Sequence, residues 1–129
     1  MNEALILFAH GARDARWAQP FQRLQAKLTQ SRPELQVRLA FLEFMQPDLP
    51  ALLAELYQLG VRQTILVPVF LGQGGHVLRE LPVLIAEAQL KHPDLQIRLV
   101  DAVGECDTVL SAIADYCLSQ CDSVSNPVA

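Results

Sequence analysis

The chain has 129 residues, 51% of them hydrophobic and 19% charged, with a mean hydropathy of +0.22; that fits one domain with a sizeable core and excludes disorder or low complexity. Fourteen acidic against ten basic residues give a formal charge of −4 and a pI near 5.2, which argues against general nucleic-acid binding. Three cysteines form no even disulfide framework, so a reducing, cytoplasmic compartment is expected, and no apolar run approaches the roughly 20 residues that span a bilayer.

Met1-Asn2-Glu3 carries no basic region ahead of its apolar stretch, so the start reads as a strand and not as a signal peptide. The run from Ala4 to Ala9 is continuously apolar, the signature of a strand covered on both faces. Phe21, Leu24 and Leu28 then recur at helical spacing, and Trp17 and Phe21 are expected to pack that first helix on the sheet. Residues 37–42 read as a second strand. Leu49, Leu52, Leu53 and Leu56 mark a second helix, with Asp48 as N-cap, Pro50 in the first turn and Gly60 at the exit. A third strand is expected over 64–70, and Pro82 places the start of the third helix near Glu80, where a missing N–H is tolerated. A fourth strand over 96–100 leads to a helix opened by Asp107 or Thr108 and running to about Gln120. The domain is thus expected over 1–121, with a frayed tail over 122–129.

Strands alternating with helices imply an α/β fold, a parallel sheet between two helical layers. Right-handed crossovers leave few topologies, and a flavodoxin-like sheet of order 2-1-3-4 is the one expected. An internal repeat sharpens this. Arg32-Pro-Glu-Leu-Gln-Val-Arg-Leu39 and His92-Pro-Asp-Leu-Gln-Ile-Arg-Leu99 lie 60 residues apart and agree at five of eight positions. The same offset lays strand one on strand three and helix one on helix three. The chain therefore reads as two βαβα halves, with strands one and three as central neighbours.

Ligands of open α/β sheets bind beyond the carboxyl ends of the strands, where the strand order reverses. For this order the reversal lies between strands one and three. Strand one leads into His10-Gly11-Ala12-Arg13-Asp14, and strand three into Leu71-Gly72-Gln73-Gly74-Gly75-His76. Strand two ends at Glu43, so His10, Glu43 and His76, each 33 residues from the next, come to one edge. Two imidazoles and a carboxylate with open positions suit a divalent transition metal such as Co²⁺, Fe²⁺, Ni²⁺ or Zn²⁺. The glycines at 72, 74 and 75 let a flat ligand approach closely, although they form neither a dinucleotide fingerprint nor a P-loop. Arg13, Arg16, Arg23 and Arg79 lie in or just after the two loops, where guanidinium groups would recognise carboxylates; for Arg23 a solvated helix face is the preferred reading. His92, before Pro93 at the opposite edge, is not expected to ligate. Cys106, Cys117 and Cys121 lack a nearby fourth ligand and are expected to be buried or inert.

The sequences His10-Gly-Ala-Arg-Asp14, Phe41-Leu-Glu-Phe44 with Pro47, and Val67-Pro-Val-Phe-Leu71 with Gly74-Gly-His-Val77 resemble those of small CbiX-type sirohydrochlorin cobaltochelatases and SirB-type ferrochelatases. The similarity runs from about residue 3 to residue 120. It implies a chelatase-like fold as one half-length unit that forms a homodimer. It also implies a class II chelatase, independent of ATP and of any organic cofactor, whose metal (Co²⁺, Fe²⁺ or Ni²⁺) and tetrapyrrole are both substrates, for cobalamin or siroheme synthesis. By the same resemblance His10 and His76 hold the metal and His10 accepts a proton; the chemistry of the residues themselves suggests that Glu43 assists as ligand or proton conduit. Leu71, Gly72, Gln73, Gly74, Gly75 and Gln46 contact the substrate, and Arg13 and Arg79 face its carboxylates. Ala12 stands where Ser is usual, and Gln46 where some relatives are acidic. Two other readings compete: a metal-delivery protein without turnover, and a receiver-type module, which would need an acidic triad or phosphate loop that the sequence lacks.

Overall fold

The apolar run at the start of the chain becomes the second strand of a sheet, paired on both sides. A computed structural model describes residues 3–72 and 76–125, and the side chains of all of these except 76–78 and 122–125. In chain order the elements are β1 (Glu3–Ala9), a 3-10 turn (Ala15–Ala18), α1 (Gln19–Ser31), β2 (Gln36–Phe41), α2 (Leu49–Gln58) and β3 (Gln63–Pro68). They continue with α3 (His76–Lys91), β4 (Gln96–Leu99), a second 3-10 turn (Val103–Glu105) and α4 (Asp107–Ser125). The strands are parallel in the order β2-β1-β3-β4, so β1 and β3 are the central neighbours that the repeat predicts. The repeated segments make the same turn at both outer strands: Leu35 N–H donates to the Arg32 carbonyl and Leu95 N–H to that of His92, each at 3.0 Å.

Strand alternation sorts the core into two layers. Ala4, Ile6 and Phe8 of β1 and Leu66 of β3 face α2 and α3, whose Leu49, Leu52, Leu53, Leu56, Leu81 and Ala88 bury themselves there. Each fully buried leucine contributes about 1.5–3 kcal/mol, so this layer dominates the stability. On the other face Ala9 and Phe41 pack with Ala18, Trp17 and Phe21, fixing α1 over the β1–β2 half. The punctuation of α2 acts as the sequence predicts: the Asp48 carboxylate accepts from Ala51 N–H at 2.9 Å, and Gly60 takes φ +92° at the exit.

Three boundaries differ from expectation by more than one residue. β3 stops at Pro68; Val69 N–H still donates to the Phe8 carbonyl at 2.8 Å, the last bond to β1 before the chain leaves the ladder. α3 starts at His76, not near Glu80, and carries Pro82 inside it. An internal proline loses one hydrogen bond and strains the preceding turn, at about 3 kcal/mol. Burial of Leu81 and Ala88, with Leu84 and Ile85 packed beside them, offsets that loss. α4 continues past Gln120 to Ser125, so the first four residues of the expected tail are helical, and 126–129 lie outside the described residues.

At the rim opposite the strand carboxyl ends, the Tyr57 hydroxyl donates to Asp94 Oδ1 at 2.6 Å. Arg62 Nε donates to Asp94 Oδ2 at 3.1 Å, with its guanidinium 3.6 Å from the Tyr57 ring centroid. His92 stacks on Tyr57 at 4.2 Å, a packing role at the edge remote from the site. The Tyr57 hydroxyl holds the Asp94 carboxyl below its ordinary range, and Asp94 in turn raises Tyr57.

Candidate metal centre

Beyond their last paired residues, β1 and β2 stay zipped together, and this builds the site. Leu42 N–H donates to the Ala9 carbonyl and Glu43 N–H to the His10 carbonyl, each at 3.0 Å. Gly11 makes the approach possible. It has φ +96°, and a Cβ there would lie 1.8 Å from the Glu43 carbonyl oxygen. With the two backbones held this close, His10 Nε2 lies 2.8 Å from Glu43 Oε1, and each side chain is 47% exposed. A neutral imidazole has one N–H and one lone pair. If Nε2 carries the proton, Glu43 accepts it and Nδ1 remains a base; if a cation enters, Nε2 and the carboxylate can both turn lone pairs to it.

Next in the chain, Phe44 has a positive φ of 66° and is exposed, and the guanidinium of Arg13 lies 4.5 Å from its ring centroid. Arg13 is thereby carried to the Glu43 side of the loop. Arg16 instead forks onto Asp14, at 2.7 Å for its shortest bond, which lowers Asp14 and raises Arg16. Arg23 is exposed on α1, and Arg79 is exposed in the first turn of α3. Gln46 lines a groove of about 460 Å³ on the α1 side of the sheet, with Ala15, Gln22 and Met45. His10 and Glu43 do not line it.

On the β3 side of the same rim, Leu71 and Gly72 are exposed. The backbone of Leu71 presses on Gly104, where a Cβ would lie 1.6 Å from the Leu71 carbonyl oxygen. His76 opens α3, and its side chain lies outside those described, as do Gln73, Gly74 and Gly75 altogether. Among the described residues no group of three His, Cys, Asp or Glu side chains is assembled, so the described part of the centre is the His10–Glu43 pair. Of the two alternatives expected for the cysteines, buried or inert, burial does not hold: Cys106 just before α4, and Cys117 and Cys121 within it, are all exposed. Sequence reasoning assigned no role to Gly11 or Phe44. A glycine directly after the strand-end histidine, and an aromatic beside a loop carboxylate, were the available signals.

The fold is a parallel α/β sheet of this order, with a histidine and a carboxylate joined beyond the carboxyl ends of β1 and β2, beside its switch point. The CbiX protein of Marinobacter aquaeolei VT8 superposes with a TM-score of 0.82 at 29% identity, over 94% of this chain and 98% of that one. The sirohydrochlorin chelatase SirB of Bacillus subtilis subspecies spizizenii, solved in complex with cobalt, gives 0.71 at 22% identity, over 89% of this chain and 49% of that one. SirB from Bacillus subtilis with Fe³⁺ gives 0.70 at 21%, over 89% and 46%. The sequence model of the CbiX family matches residues 4–118, and the chain belongs to that family. It is 30% identical to the sirohydrochlorin cobaltochelatase of Methanocaldococcus jannaschii over 90 residues, which are 70% of this chain and 63% of that protein. The corresponding protein of Methanococcus aeolicus is 29% identical over 83 residues, 64% and 58%. The matches thus span less than two thirds of these relatives' length. Among the described residues no helix is long and apolar enough to cross a membrane.

Proposed function

We propose that this chain inserts Co²⁺ or Fe²⁺ into sirohydrochlorin without ATP or an organic cofactor, as a cytoplasmic homodimer serving cobalamin or siroheme synthesis. The observation that carries the reading is the 2.8 Å contact between His10 and Glu43, half-exposed at the switch point of the sheet. Membership of the CbiX family and likeness to sirohydrochlorin cobaltochelatases support it. Metal and tetrapyrrole are both substrates in this reaction.

Insertion exchanges two pyrrole N–H protons for a metal that must first shed water. A ligand that is also a base brings both changes to one place. His10 holds the metal and accepts a proton, Glu43 orients His10 and carries that proton towards solvent, and His76 completes the ligand set. Leu71, Gly72, Gln73, Gly74, Gly75 and Gln46 contact the macrocycle, and Arg13 and Arg79 face its carboxylates. Since imidazole and carboxylate suit cobalt, iron and nickel alike, donor chemistry alone does not rank the metals.

The test is an anaerobic incubation of purified protein with sirohydrochlorin and Co²⁺, Fe²⁺ or Ni²⁺ in turn, without ATP, followed by absorbance. The proposal expects catalytic growth of a metallated-macrocycle spectrum with cobalt or iron. Tight metal binding without any spectral change on adding sirohydrochlorin would make metal delivery the function instead.

A further inference from the structure

Each member of the His10–Glu43 pair is followed at once by a residue with a positive φ. Gly11 after His10 has φ +96°, and Phe44 after Glu43 has φ +66°. Glycine adopts that conformation without strain. For a side chain as large as phenylalanine the left-handed region is a true outlier, and it persists only where the surrounding structure holds it. Two backbone bonds do so here. Glu43 N–H donates to the His10 carbonyl at 3.0 Å and Phe41 N–H to the Pro47 carbonyl at 2.9 Å, so the segment is pinned on both sides of Phe44. The backbone thus calls for a left-handed residue at position 44, but not for an aromatic ring. Nor does the core use the ring, since Phe44 is 54% exposed and belongs to neither apolar layer.

What the ring touches points to its use. The guanidinium of Arg13 lies over it, 4.5 Å from the centroid. The same arrangement recurs at the far rim, where Arg62 lies 3.6 Å from the Tyr57 centroid. There a carboxylate closes the stack: Arg62 Nε and the Tyr57 hydroxyl both donate to Asp94. Around Arg13 the neighbouring acids are already engaged, since Asp14 accepts the fork of Arg16 and Glu43 faces His10. Among the described residues Arg13 forms no ion pair with a carboxylate. Arg13 and Phe44 are both exposed, beside the His10–Glu43 pair. The group that closes this second stack, as Asp94 closes the first, therefore belongs to a ligand.

We propose that Phe44 and Arg13 act as one unit that selects the macrocycle. The exposed part of the Phe44 ring packs against the flat conjugated face of the ligand, and the Arg13 N–H groups fork onto a carboxylate at its margin. The ligand class is a flat conjugated ring that carries carboxylates; a neutral aromatic lacks the anion, and an aliphatic polyacid lacks the face. The proposal rests on the chelation proposed above, where Arg13 already meets carboxylates. It adds Phe44 as a specificity-determining residue that also holds Arg13 in place. It explains, too, why phenylalanine occupies a position whose backbone suits glycine.

The experiment is a metal-free titration of the full chain with sirohydrochlorin and with uroporphyrin, an octacarboxylic porphyrin, followed by ligand fluorescence. Phe44→Gly keeps the left-handed turn and removes the ring. It should unfold at the wild-type urea midpoint or above, yet bind both macrocycles about tenfold more weakly. Phe44→Trp should bind within about threefold of wild type. Arg13→Gln should also lose about tenfold, and the double variant about 20-fold, well short of the product of two independent losses, because Phe44 is what holds Arg13 for the ligand. Wild-type affinity in Phe44→Gly would overturn the proposal, as would losses that multiply, or a wild type that takes up neither macrocycle. A Phe44→Gly protein that unfolds markedly earlier would make the ring a brace for its own loop and overturn it equally. Turnover does not enter this measurement. A chain that binds as expected but inserts no metal keeps the stack and loses the chelatase reading; one that inserts metal while Phe44→Gly binds normally keeps the reading and loses the stack.

Discussion

At the scale of single residues, the site depends on what is missing from Gly11. The absence of a Cβ lets the Glu43 carbonyl come close enough for His10 and Glu43 to meet. Gly60 has the same sign of φ but nothing within 4 Å of its virtual Cβ, which makes it a control for conformation alone. Gly60→Ala should lower the unfolding free energy by about 1–2 kcal/mol, the left-handed backbone term, and leave metal insertion intact. Gly11→Ala should lose more stability than that in urea unfolding and should also lose most insertion activity, since Glu43 must move. Equal losses at the two positions, with activity kept at both, would mean that the close approach does not hold the centre together. The histidine and carboxylate were legible in the sequence because the topology assigned them to one edge. Their direct contact was not, since it rests on two residues of extra zipping beyond β1 and β2 that no periodicity reports.

At the scale of elements, the four strands and α2 could be read from local signals: short β-rich runs, continuously apolar in β1, and a cap, proline and glycine around four buried leucines. The third helix could not be placed from Pro82. That rule weighs one hydrogen bond and one steric clash, while Leu81 and Ala88 bind the helix to a core distant in sequence. Pro82→Ala restores the missing donor and should raise the unfolding free energy by about 1–3 kcal/mol, read from denaturant midpoints. A drop in stability would show that the proline ring itself is needed at that turn. Of the two readings of the cysteines, burial fails because all three are exposed; a sequence pattern does not say which face of a helix finds a partner.

At the scale of the whole molecule, two similar half-units explain two observations together: the repeat and the central pairing of β1 with β3. The ligand rim then sits where the halves meet, with β1 and β2 delivering His10 and Glu43 and β3 leading into the loop before His76. Arg13, held over Phe44, puts a guanidinium beside this rim, which the proposed function assigns to the carboxylates of the substrate.

The central claim is that His10 is the group through which metal enters and a proton leaves. Its most direct test is the rate at which His10→Ala metallates sirohydrochlorin anaerobically, with folding verified by circular dichroism. Loss of a positioned base and ligand predicts a fall of at least about 100-fold. A folded His10→Ala protein that works near the wild-type rate would contradict the account.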